Sequence, residues 1–107
     1  MKALITHRQT ERFTLLYALY RKSDGMPRQA SNLRAMAFNE GISIRSFKSC
    51  FDYLCQEELI KMHSNYEAPL ESYFASLTEL GITVIEEVFK DENHATEYFP
   101  AYREMMM

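Results

Sequence analysis

The chain has no tryptophan, two cysteines, three glycines and three prolines among 107 residues. Each shortage excludes something. With three glycines there is no glycine-rich loop to cradle a phosphate, and no Gly-x-Ser-x-Gly elbow to carry a nucleophilic serine. Cys50 and Cys55 fall roughly 140° apart on one predicted helix, so they cannot bridge each other there. Neither has the neighbours of a zinc site, and both are expected as reduced, small apolar residues. No apolar run approaches the length that spans a membrane. The first eight residues, Met-Lys-Ala-Leu-Ile-Thr-His-Arg, lack the apolar core of a signal peptide, so a cytoplasmic protein is expected. His7, His63 and His94 are scattered, with no ligand spacing among them, so no metal and no cofactor is expected. Adjacent acidic pairs such as Glu57-Glu58 and Glu86-Glu87 point apart on helices and read as solvated charge. Nothing here makes an enzyme.

Positive charge is also short. The net charge is −3, which argues against indiscriminate nucleic-acid binding. The deficit is uneven: residues 1–77 sum to +2 and residues 78–107 to −5. The C-terminal part carries the acidity, and the rest is free to face a polyanion.

What is present is helical periodicity. Residues 11–22 read as a helix, with Thr10 as its N-cap. Phe13, Leu16, Tyr17 and Tyr20 share a face, and Leu15 and Leu19 add a second apolar strip. Ser23-Asp24-Gly25 ends it, and residues 26–29 are too short for anything but an extended segment. A second helix is expected over 31–40, capped by Ser31 and stopped by Gly41. A third starts at Ser43, its cap, and runs to about Glu58. Ile44, Phe47, Phe51 and Leu54 fall within roughly 80° of one another and form its inner stripe. The outer face holds Arg45, Ser46, Ser49, Asp52 and Gln56. Residues 59–64 and 72–77 read as two strands joined through a turn at 67–71. Thr78 caps a last helix, with Leu80, Gly81, Val84, Ile85, Val88 and Phe89 on one side. Met105, Met106 and Met107 read as a disordered end.

The order is helix, short strand, helix, helix, hairpin, helix. It resembles a winged helix domain: mainly α with a small β-hairpin, a three-helix core and an additional C-terminal helix. The whole chain, 1–107, would be one such domain, with a core of about 10–90 and an extension at 91–107. Two stretches carry the resemblance further. Leu54-Cys55-Gln56-Glu57-Glu58-Leu59-Ile60-Lys61 is similar to the exit from the third helix into the wing, with Glu58 where glycine is common. Tyr73-Phe74-Ala75-Ser76-Leu77-Thr78-Glu79-Leu80-Gly81 resembles the returning strand and the "leucine-threonine-x-x-glycine" start of the next helix. Together they look like small bacterial regulators of the MarR-like and PadR-like type.

The resemblance implies a regulator of transcription that binds double-stranded DNA as a homodimer. Arg45, Ser46 and Ser49 would face base edges, with Lys48 on the flank near phosphate. Arg28, Arg34 and Lys61 are further phosphate candidates, and His63, Asn65 and Tyr66 would lie on the wing beside Glu67 and Glu71. The apolar residues left over, Leu15, Leu19, Ile82, Tyr98, Phe99 and Tyr102, would pair two copies. The alternative for that segment is that the tail folds back onto the first helix. The alternative for function is a winged helix used as a protein-interaction module without DNA. A third is a small-molecule sensor with its pocket at a dimer interface. Surface charge around the third helix separates the first two.

Overall fold

The computed structural model describes residues 2–64 and 67–106. Its helices are α1 (Lys2–Lys22), α2 (Leu33–Asn39), α3 (Ile44–Gln56), α4 (Glu79–Lys90) and α5 (Tyr102–Met105). The strands are β1 (Ser31–Asn32), β2 (Ile60–Met62) and β3 (Phe74–Leu77), with a 3₁₀ turn at Leu70–Ser72 before β3. The strands form one antiparallel sheet in the order β1-β3-β2. Ser31 pairs with Ala75, and Ile60 with Leu77. The chain is therefore mainly helical with a small antiparallel sheet, an architecture compatible with the winged helix pattern. Among the described residues no helix is long and apolar enough to cross a membrane.

α1 begins well before Glu11. Residues 2–10 hold no glycine or proline, so nothing interrupts the helix. Thr10 is consequently inside it rather than capping it, and its hydroxyl donates to the Thr6 carbonyl at 2.7 Å. Both expected apolar strips are inward: Phe13, Leu15, Leu16 and Leu19 are buried. The strand before α2 is Ser31–Asn32, not residues 26–29. With Ser31 committed to β1, the cap of α2 passes to Asn32, whose side chain accepts from the Ala35 amide at 3.1 Å. Gly41 takes a φ of +76° after α2, and Ser43 caps α3 by accepting from the Ser46 amide at 3.2 Å.

The buried side of α3 is Phe47, Cys50, Phe51 and Leu54. Ile44, expected with them, is 57% exposed. It lies on the edge of that stripe in the first turn, and Cys50 fills the opposite edge. Phe47 and Phe51 pack with Tyr73 of the strand region, ring centroids 4.9–6.1 Å apart.

The turn out of α3 puts Glu58 at a φ of +60°, a backbone state that glycine adopts without strain. Thr78 then ties the junction together. Its hydroxyl donates to the Glu58 carbonyl at 2.6 Å and accepts from the Gly81 amide at 3.0 Å. Gly81 is where the Leu59 carbonyl meets α4: a Cβ there would lie 2.2 Å from that oxygen. Gly81→Ala should therefore push α4 off the sheet and destabilise the fold by about 2–3 kcal/mol, because the obstruction is backbone. Chemical denaturation checks this; an unchanged midpoint would contradict the packing. Along α4, Val84, Ile85 and Val88 are buried. Leu80 and Phe89 lie on opposite edges of that stripe. Leu80 is partly exposed, while Phe89 is covered by Tyr17 and Tyr102.

The C-terminal segment folds back onto α1. The Thr96 hydroxyl accepts from the amides of Tyr98 and Phe99, turning the chain inward. Phe99 then seats edge-on against Phe13 at 5.3 Å, and Tyr102 meets both Phe13 and Phe89. Met105 is buried in α5, so it is not a disordered end, and Met107 lies outside the described residues. This corrects the assignment of a dimer interface. Leu15, Leu19 and Phe99 are buried within one chain, and Ile82, Tyr98 and Tyr102 are half-buried against the same core. The apolar excess that pointed to a second copy is consumed internally.

Candidate nucleic-acid interface

Ser43 fixes where α3 starts, and the Phe47–Phe51–Leu54 side fixes its rotation. Together they turn Arg45 and Ser49 to solvent, with Ser46 half-buried beside them. These three line a groove of about 330 Å³ whose other wall is α1: Arg8, Glu11 and Arg12, with Cys50 at the base. Arg12 is held in place by stacking over the Tyr53 ring of α3, 4.1 Å from its centroid. Among the described residues Arg8 and Arg45 form no ion pair, and Glu11 has His7 at 3.7 Å. Three guanidinium groups thus surround one carboxylate. Burial pushes the Cys50 thiol up to about 11, with Glu11 adding to the rise, so it stays protonated and unreactive at neutral pH. Cys50 and Cys55 are both free thiols.

The remaining expected contacts are dispersed. Lys48 is on the other flank of α3, where its ammonium bonds both Asp52 oxygens at 2.8 and 3.0 Å and sits 5.7 Å from the Tyr73 ring. Its position is as expected, but its charge is largely answered by Asp52. Arg34 lies over Phe47 and lines a separate groove along α2. Arg28, Lys61 and His63 come together in a third groove of about 610 Å³, where Glu58 and Glu79 offset their charge. His63 shares a 2.8 Å hydrogen bond with the buried Ser76 hydroxyl. Asn65 and Tyr66, expected at the wing tip, lie outside the described residues. Of the other two histidines, His7 stands beside the first groove, 3.7 Å from Glu11, and His94 pairs with Asp91 away from these grooves.

Arg8 and Arg12 belong to no motif. Arg12 falls within the helix expected over residues 11–22, but only the extension of α1 back to Lys2 puts Arg8 on the same helix beside α3. Their spacing of four on an uninterrupted helix-forming stretch was the available signal, since such a pair shares one helix face. The chain matches no protein-family model, no curated protein and no solved structure.

Proposed function

We propose that this chain is a small cytoplasmic transcriptional regulator of the winged helix type that reads double-stranded DNA with α3 and acts as a homodimer. One observation carries the reading: Arg45, on the outward face at the start of α3, stands across a groove from Arg8 and Arg12. A net positive groove beside a short polar helix face suits a phosphate chain running past base edges. Ser46 and Ser49 supply short hydroxyls that let α3 approach the groove closely. Arg8 and Arg12 neutralise phosphates, and Arg45 pairs with a guanine edge. The surface for a second copy is not the buried Leu15–Leu19 strip but exposed apolar positions such as Leu4 and Ile5 on the first turns of α1.

The test is binding of the purified chain to a pool of random duplexes, followed by a salt series on the selected sequence. Arg45→Ala should cost about 1–3 kcal/mol and relax preference at one base position per half-site. Arg8→Ala and Arg12→Ala should weaken all sequences alike and each lower the salt slope by about 1. Lys48→Ala should also weaken every sequence, because it leaves Asp52 unanswered near the phosphates. Equal losses from all four with specificity untouched would remove the division of roles. No salt-dependent binding at all would remove DNA.

A further inference from the structure

The groove along α2 holds two features that DNA reading does not use. It measures about 310 Å³ and is lined by Asn32, Arg34, Ala35, Phe38, Asn39 and Glu71. Phe38 is 73% exposed, the most exposed large apolar side chain among the described residues. Arg34 has a fully buried Nη1 with no hydrogen-bond partner, the single such side-chain atom among the described residues. A buried donor left unpaired is costly, and over the Phe47 ring Nη1 has nothing to bond, so it gains a partner only when the guanidinium turns out into the groove. Arg34 and Phe38 are four apart on one helix, so their side chains emerge about 5–6 Å from each other.

We propose that this groove binds the C-terminal end of a partner polypeptide whose last residue is large and apolar. One such residue carries both groups the groove calls for. Its free carboxylate meets the Arg34 guanidinium, which turns to bring Nη1 onto an oxygen in the two-pronged geometry that carboxylates favour. Its side chain covers Phe38 and the methyl of Ala35. A DNA phosphate satisfies Arg34 but leaves Phe38 in water, so the two features together favour peptide. Glu71 opposes any anion here. Its backbone is held in place by the Asn32 amide, which donates to the Glu71 carbonyl at 2.8 Å, and its carboxylate forms no ion pair with Arg34. Removing that charge should strengthen binding.

The probe is N-acetyl-phenylalanine, titrated into the isotope-labelled full chain at neutral pH and followed by amide chemical shifts. The expected result is a saturable shift confined to residues 32–39 and 71, with a dissociation constant of about 1 mM. Arg34→Gln and Phe38→Ser should each weaken it about tenfold or more, and Glu71→Gln should tighten it a few-fold. Phe38 is on the surface, so its variant tests the site without threatening the fold. N-acetyl-phenylalanine amide, which lacks the carboxylate, should not bind. An equal response to the amide, or no saturation, would overturn the proposal. Inorganic phosphate binding as well as the acid would overturn it in favour of a backbone-phosphate contact. Duplex DNA bound through α3 should leave the titration unchanged, so loss of DNA binding and loss of this site are read separately.

Discussion

Phe51→Ala should destabilise the fold by about 3–5 kcal/mol, enough to remove much of the stability of a domain this size. Phe51 is fully buried at the centre of α3, with its ring centroid 4.9 Å from Tyr73 and 5.7 Å from Phe47. Truncation opens a cavity between the helix and the sheet, and neither neighbour can collapse into it. Phe47 is fixed by its own packing, and Tyr73 by the start of β3. Ile44→Ala is the matched control. Ile44 belongs to the same apolar series in the sequence, yet it is mostly solvated, so its loss should be within about 0.5 kcal/mol. Urea denaturation of both variants measures the difference. If the two cost the same, α3 is rotated from the position described. Arg45 and Ser49 would then no longer be its outward residues, and the DNA-reading set would fall with the core.

That pair also marks what a sequence can reveal. The start of α3 was legible because Gly41 and Ser43 act locally: one adopts a positive φ, the other caps the helix with its own hydroxyl. Thr78 was legible for the same reason, and Gly81 stood in a recognisable motif whose cause is the Leu59 carbonyl pressed against it. Ile44 was misplaced because periodicity gives the direction of a stripe but not which of its edges is roofed. Ser31 and Asn32 are equally good caps in isolation. A two-residue pairing with β3 decides between them, and two residues leave no alternation to detect. In the candidate site, Arg45, Ser46 and Ser49 followed from the rotation of α3. Arg8 and Arg12 did not, because their role depends on how α1 crosses α3. The grouping of Arg28, Lys61 and His63 with Glu58 and Glu79 likewise joins residues distant in sequence, and charge counting along the chain cannot show that they offset one another.

The tail is the extreme case of long-range dependence, and cutting the chain after Lys90 should show it. The cut removes Phe99 and Met105 from the core and uncovers Phe13 and Phe89. Each lost apolar side chain is worth about 1.5–3 kcal/mol of burial, so the truncated chain should lose about 3–6 kcal/mol. It should unfold at a markedly lower temperature and expose an aromatic patch along α1. A dye that fluoresces on apolar surface would report that patch. At concentrations too low for two copies to pair, the full chain should melt at a temperature independent of its concentration, because the tail covers its own α1. Exchange of tails between two copies would make the same contacts, but its midpoint would rise with concentration. A truncated chain as stable as the full one would mean that the Phe13–Phe99–Tyr102 cluster contributes nothing to the fold. Phe99→Ala in the full chain separates packing from chain length. It deletes one ring that seats on Phe13, leaves the Thr96 turn intact, and should by itself account for about 3 kcal/mol or more of the loss.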